Sequence, residues 1–161
     1  VRVLGEFALI RGVPLFGYHH LRADDPVSLP EYSGLTTDVD VAYTAPTQTR
    51  IEATVQRDLR QSPDPRTPQY TQLTWGGIVT QRLFGRWDVQ VSGYRVRQDY
   101  LSTSLAAART DLSDRAGASL GYVLARQVRA SLDINAVNRR SDLQPRDYRG
   151  VVGGFSMTYG Y

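Results

Sequence analysis

An all-β chain, an antiparallel up-and-down transmembrane β-barrel with about 8–9 strands in residues 1–161, is predicted by three observations. Apolar and polar residues alternate with period two through most of the sequence. The connections between these segments alternate between short and long. Aromatic residues gather where the segments meet the connections.

The alternation sorts residues onto two strand faces. Leu35, Val39, Val41 and Tyr43 share a face opposite Asp38, Asp40 and Thr44. Ile51, Ala53 and Val55 oppose Arg50, Glu52 and Gln56, and Leu73, Trp75 and Val79 oppose Gln72, Thr74 and Thr80. Trp87, Val89 and Val91 oppose Asp88, Gln90 and Ser92. Ala116, Ala118, Leu120, Tyr122 and Leu124 form one face of a later segment, and Val128 to Ala136 repeat the pattern against Arg129, Ser131, Asp133 and Asn135. Val151, Phe155, Met157 and Tyr159 close the series. Strands are therefore expected near 1–8, 12–22, 35–45, 48–59, 70–83, 87–101, 112–125, 128–139 and 148–161, with no helix.

Pro46-Thr47, Gly85-Arg86 and Arg126-Gln127 read as tight turns, whereas 23–34, 60–69, 102–111 and 140–147 are longer and polar. Periplasmic turns of a membrane barrel are short and its extracellular loops long, which produces this parity. Tyr43, Trp87, Tyr122, Tyr159 and Tyr161 lie near a tight turn or the C-terminus, where a membrane-interface girdle would sit. Tyr70, Tyr100 and Tyr148 border the long loops in the same way.

Segment 87–101 breaks parity after Gly93: Tyr94 and Val96 take one face, and Arg95 and Arg97 take the face that was apolar. A β-bulge or an extension beyond the membrane would explain it. Nine strands are an odd number, and single-chain bacterial barrels have an even one, so the count implies the C-terminal part of a larger barrel, incomplete at its N-terminus. Reading 1–22 as one strand would give eight, although Gly12 and Pro14 interrupt that span.

Composition narrows the function. No run approaches the roughly 20 apolar residues a spanning helix needs. There is no cysteine for a disulfide, a thiolate metal site or a Cys nucleophile. All the basic residues are arginine, and 19 of them against 16 acids, interleaved throughout, leave a net charge of +3. A nucleic-acid partner would call for concentrated positive charge, so none is expected.

Charges facing lipid are costly, so the polar face points inward. Asp38, Asp40, Arg50, Glu52, Gln56, Asp88, Gln90, Arg115, Arg129, Asp133 and Asn135 are the candidate pore-lining residues. Opposite charges could pair and seal a narrow interior or line a hydrated channel. His19 and His20 are adjacent on a strand and point to opposite faces, so they cannot hold one metal together. Asp24, Asp25, Glu31, Asp64, Asp111, Asp114, Asp142 and Asp147 fall in or beside the long loops without the spacing of a calcium loop. No metal, cofactor or catalytic residue is assigned.

The closing segment 152–161, with Phe155, Met157, Tyr159 and Tyr161 alternating, resembles the terminal strand of outer-membrane proteins. The resemblance implies recognition by the barrel-assembly machinery. Gly17-Tyr18, Tyr32-Ser33-Gly34-Leu35, Val41-Ala42-Tyr43-Thr44, Thr49-Arg50, Gln81 to Gly85 with Trp87-Asp88-Val89, and Tyr148-Arg149-Gly150 occur in that order. Together they resemble outer-membrane β-barrel porins associated with exopolysaccharide export. That resemblance implies a non-enzymatic barrel in a bacterial outer membrane, contacting membrane lipid and lipopolysaccharide. It further implies passage or export of a polysaccharide or a small polar solute. Two alternatives stand beside it: a structural or lipid-interacting small barrel with a filled interior, and an outer-membrane hydrolase using His20 with Asp24, Asp25 or Ser28.

Overall fold

The computed structural model describes residues 5–7, 10–22, 31–64, 66–102, 106–142 and 146–160. Among them run nine antiparallel strands: β1 Gly5–Phe7, β2 Ile10–Leu21, β3 Tyr32–Thr44, β4 Thr49–Gln61, β5 Gln69–Arg82, β6 Trp87–Tyr100, β7 Arg109–Ala125, β8 Val128–Ser141 and β9 Tyr148–Tyr159. Each pairs with its neighbours in sequence, giving one sheet in the order β1 to β9. No pairing joins β1 to β9 among the described residues, so this sheet is open.

Short and long connections alternate along the sheet. At the short-turn end, Pro46 supplies a preset φ at the second position of the β3–β4 turn. The Gln48 amide donates to the Ala45 carbonyl at 3.1 Å, and Gln48 itself takes a left-handed φ of 61°. A hydrogen-bonded turn followed by a left-handed residue is a common hairpin closure. Gly85, at φ 67°, provides the left-handed position of the β5–β6 turn without a Cβ penalty.

The hairpin ends are staggered. The ladder from Thr44, the last residue of β3, runs through Arg50, Thr80 and Gln90 to Ser119, well short of the β7 end at Ala125. That offset is roughly 20 Å along the strand over about 19 Å of sheet width. The slope of about 45° is close to the strand tilt of roughly 35–45° found in membrane barrels.

The structure decides between two pairs of alternatives that the sequence leaves open and corrects one strand boundary. The break near Gly93 is not a bulge: β6 stays in register with β5 and β7 throughout, and Arg95 and Arg97 remain on the outward, mainly apolar face. The register shift in the sheet instead lies between Val123 and Ala125, beside the β7–β8 turn. Residues 1–22 are not one strand, because β1 folds back on β2 with Gly5 opposite Gly12. Pro14 lies inside β2, paired with Val39, beyond the reach of the short β1. Finally, β7 begins at Arg109, so Asp111 and Asp114 belong to a strand and not to a loop.

The two faces are buried in the reverse of the order a soluble sheet would show. The register puts Leu35, Val41, Tyr43, Ile51, Val55, Trp75, Val79, Leu120, Leu132, Ile134, Phe155 and Met157 on one face, and all are exposed. The opposite face is polar and better covered: Asp88 is 8% exposed and Ser131 4%, against 63% for Leu132. Among the described residues, the buried hydrophobic ones, Tyr32 and Tyr100, both lie on that polar face, near the long loops.

Candidate pore lining

All eleven polar residues singled out in the sequence fall on the covered face, in successive rows across the strands. Asp38 and Gln56 share a row with Arg139, and Asp40 shares one with Tyr94 and Arg115. Glu52 aligns through Ile78, Ser92 and Gly117 with Asn135. Arg50, Gln90 and Asp133 form the next row towards the short turns, and Asp88 follows beside Gly121. Period-two geometry brings them together because the register is continuous from β3 to β8, as far as Val123 opposite Arg129.

Arg129 on β8 spans β7 to reach Asp88 on β6, with its Nε 2.9 Å and its Nη2 2.5 Å from the carboxylate. A Cβ on Gly121 would sit 2.2 Å from that guanidinium, so the glycine is the gap that lets the side chain cross. Asp133 accepts hydrogen bonds from the Ser131 and Ser156 hydroxyls at 3.2 and 2.9 Å. On β4, Arg50 donates to Glu52 at 2.7 Å. Tyr94 lies over Gly76, where a Cβ would approach its ring to 2.6 Å. A depression of about 330 Å³ opens beside it, lined by Arg11, Val13, Asp40, Arg50, Glu52 and Tyr94 among others.

A second cluster, absent from the sequence reading, occupies the same face at the long-loop end. Arg109 stacks 3.7 Å from the Tyr100 ring centre, and Tyr100 packs 4.9 Å from Tyr70. Arg139 donates to the fully buried Asp111 at 2.6 Å, and Ser141 donates to the same carboxylate. Asp64, in the β4–β5 loop, meets Arg109 at 3.7 Å and Arg146 of the β8–β9 loop at 3.5 Å. Loops four strands apart in the sheet thus meet over its polar face, which marks that face as the inside of the curve. Its signal in the sequence is the alternating run Arg109, Asp111, Ser113, Arg115, whose first members fall in the polar span 102–111 that composition alone assigns to a loop.

Tyr43, Trp87, Tyr122 and Tyr159 all lie on the apolar face. Trp87 and Tyr122 pair directly, with ring centres 4.8 Å apart beside the short turns. Tyr161 lies outside the described residues, as do Asp24, Asp25 and Ser28. His20 is on the apolar face with its Nδ1 3.3 Å from Ser33 Oγ, while His19 is on the polar face, edge-on to Tyr32.

A family profile described as putative beta-barrel porin 2 matches residues 4–160. The chain belongs to this porin family. Membership agrees with the architecture, an all-β, antiparallel, up-and-down sheet with most of its charges on one face. Comparison with curated proteins and with solved structures finds no match. Membership of a porin family favours a non-enzymatic barrel.

Proposed function

We propose that this chain forms the wall of an outer-membrane pore, with its apolar face against lipid and its polar face lining a hydrated passage for a polar solute. One observation carries the reading: the more exposed face is the apolar one and the better covered face holds most of the charges. In water that arrangement would leave a large apolar surface unburied, whereas a bilayer covers it and a wet lumen solvates the other side. In this reading the short turns are periplasmic, the long loops are extracellular, and Trp87 and Tyr122 anchor the periplasmic interface.

The interior charges are separated across the sheet. On β3 and β4 the polar face carries Asp38, Asp40, Glu52 and Asp58 against Arg50 and Arg60. On β7 and β8 it carries Arg109, Arg115, Arg129 and Arg139 against Asp111 and Asp133. A solute in the curve would meet an acidic wall and a basic wall, which suits an electrically neutral, hydrogen-bonding molecule better than a simple ion. Gln56, Gln90 and Asn135, with the Tyr94 ring, offer the amide and aromatic contacts that a saccharide chain would use. Export of such a chain is the finer form of the proposal.

A filled, non-conducting interior is the second reading, favoured by the ion pairs Asp88–Arg129 and Asp111–Arg139 that already cross the inner face. Planar-bilayer recording of the full protein separates them. Discrete conductance reduced by added oligosaccharide is expected for the pore, and its absence from a folded, inserted protein would leave the filled barrel.

A further inference from the structure

The apolar face carries its own cluster of charges, confined to the long-loop end. Arg95 on β6, Arg140 on β8 and Arg149 on β9 surround Asp114 on β7, and Arg97 on β6 pairs with Asp99 at 2.9 Å, all outward by register. Asp114 holds Arg95 at 2.5 Å and reaches Arg140 at 3.7 Å. Trp75 supports Arg95 from the other side, 5.7 Å from its ring centre. Arg149 is steadied by Asn138, whose carbonyl accepts from it at 3.1 Å. From Trp87 to Arg97, at about 3.4 Å per residue and a tilt of about 40°, β6 climbs about 26 Å, close to the roughly 25 Å height of the apolar band. The arginines therefore stand where hydrocarbon gives way to headgroups.

Immediately below them the outward face is hollow. Ala116 and Ala136 pair between Gly93 and Val151, and these small side chains leave a depression of about 440 Å³ whose rim includes Asp114, Asn138 and Arg149. An apolar slot capped by guanidinium groups matches one kind of occupant, a lipid with an anionic headgroup: the slot takes an acyl chain and arginine takes phosphate in bidentate fashion. The cations form two poles, Arg95 and Arg97 on one side of β7 and Arg140 and Arg149 on the other. Their strands lie roughly 10–14 Å apart at two to three strand spacings.

We infer that this patch is a binding site for a bisphosphorylated glycolipid of the lipid A class in the outer leaflet, one phosphate at each pole and one acyl chain over Ala116 and Ala136. The inference rests on the membrane orientation proposed above, which puts this end in the outer leaflet.

The test uses the full protein folded into phosphatidylcholine nanodiscs doped with bisphosphorylated lipid A, dephosphorylated lipid A or phosphatidylglycerol, with retained lipid read by native mass spectrometry. Bisphosphorylated lipid A should be retained at least about tenfold over the other two. R140Q/R149Q should lose that preference while keeping the heat-dependent gel shift of a folded barrel, and A136F, which fills the slot, should weaken retention without touching a charge. Equal retention of phosphatidylglycerol, or unchanged retention by both variants in an inserted protein, would overturn the site and leave the pore standing. Failure to insert into any bilayer would overturn both.

Discussion

Arg129 and Asp88 are joined across an intervening strand, with Gly121 as the opening through which the guanidinium passes. Both side chains are largely covered, at 17% and 12% exposure, so the pair is shielded from bulk water. In a hydrated lumen the pair should contribute about 1–2 kcal/mol, less than a pair buried in a dry core. A double-mutant cycle with D88A and R129A, followed by urea unfolding of the bilayer-folded protein, should return a coupling of about that size. Gly121→Val should cost a similar amount with both charges present. Additive single mutants would show the contact to be idle.

The outward face at mid-band should reject charge. Val91 is 54% exposed, lies among Val79, Ala118 and Ile134 in register, and belongs to the face assigned to lipid. Val91→Arg should destabilise the folded protein in lipid by about 2–4 kcal/mol, and Gln90→Arg, one residue away on the polar face, by less than about 1 kcal/mol. Equal effects at the two positions would contradict the assignment.

Charge reversal on the polar face should tune selectivity. Arg115→Glu adds negative charge to the basic wall and should raise the cation-to-anion permeability ratio by about twofold or more, whereas Asp40→Arg should lower it. The reversal potential in asymmetric salt reads both. A conducting pore that ignores both substitutions would place these residues away from its path.

Acid should open the clasp between the long loops. The Arg66 amide, donating to Asp64 at 3.1 Å, with help from the Arg146 and Arg109 guanidinium groups, holds the Asp64 carboxyl below its ordinary 3.8 despite an opposing effect of burial. A carboxylate with a depressed folded pKa contributes fully above the ordinary value, and the contribution is lost as pH falls through the depressed one. Spin labels on the 62–68 and 142–147 loops should keep their separation from pH 7 to 5 and broaden only below about 3.8. Broadening already between pH 7 and 5 would assign the clasp to other groups.

Much of this architecture is written in the alternation of the sequence. A strand has a side-chain period of two, so Val39, Val41 and Tyr43 separate from Asp38 and Asp40 before any partner strand is known. The turn chemistry of Pro46 and Gly85 marks the hairpins as clearly. Arg95 and Arg97 were ambiguous because a single strand cannot distinguish a slipped register from a polar row. Only pairing with Asp114 on β7, and the matching Arg140 and Arg149 further along, shows a charged row at the long-loop end of the apolar face. The Arg109–Asp111–Arg139 cluster was obscured for a related reason: polar strand ends beyond the apolar band look like loop until their register is seen.

The central claim, that the exposed apolar face meets lipid, is tested most directly by a single-cysteine scan along β6, from Trp87 to Arg97, in a chain with no cysteine of its own. Each position carries a fluorophore in turn, in the bilayer-folded protein, and is challenged with a lipid-soluble and a water-soluble quencher. Lipid quenching at 87, 89, 91 and 93, aqueous quenching at 88, 90, 92 and 94, and a change to aqueous quenching at 95 and 97 are the predicted pattern. Aqueous quenching at every position, or the opposite phase, would contradict it.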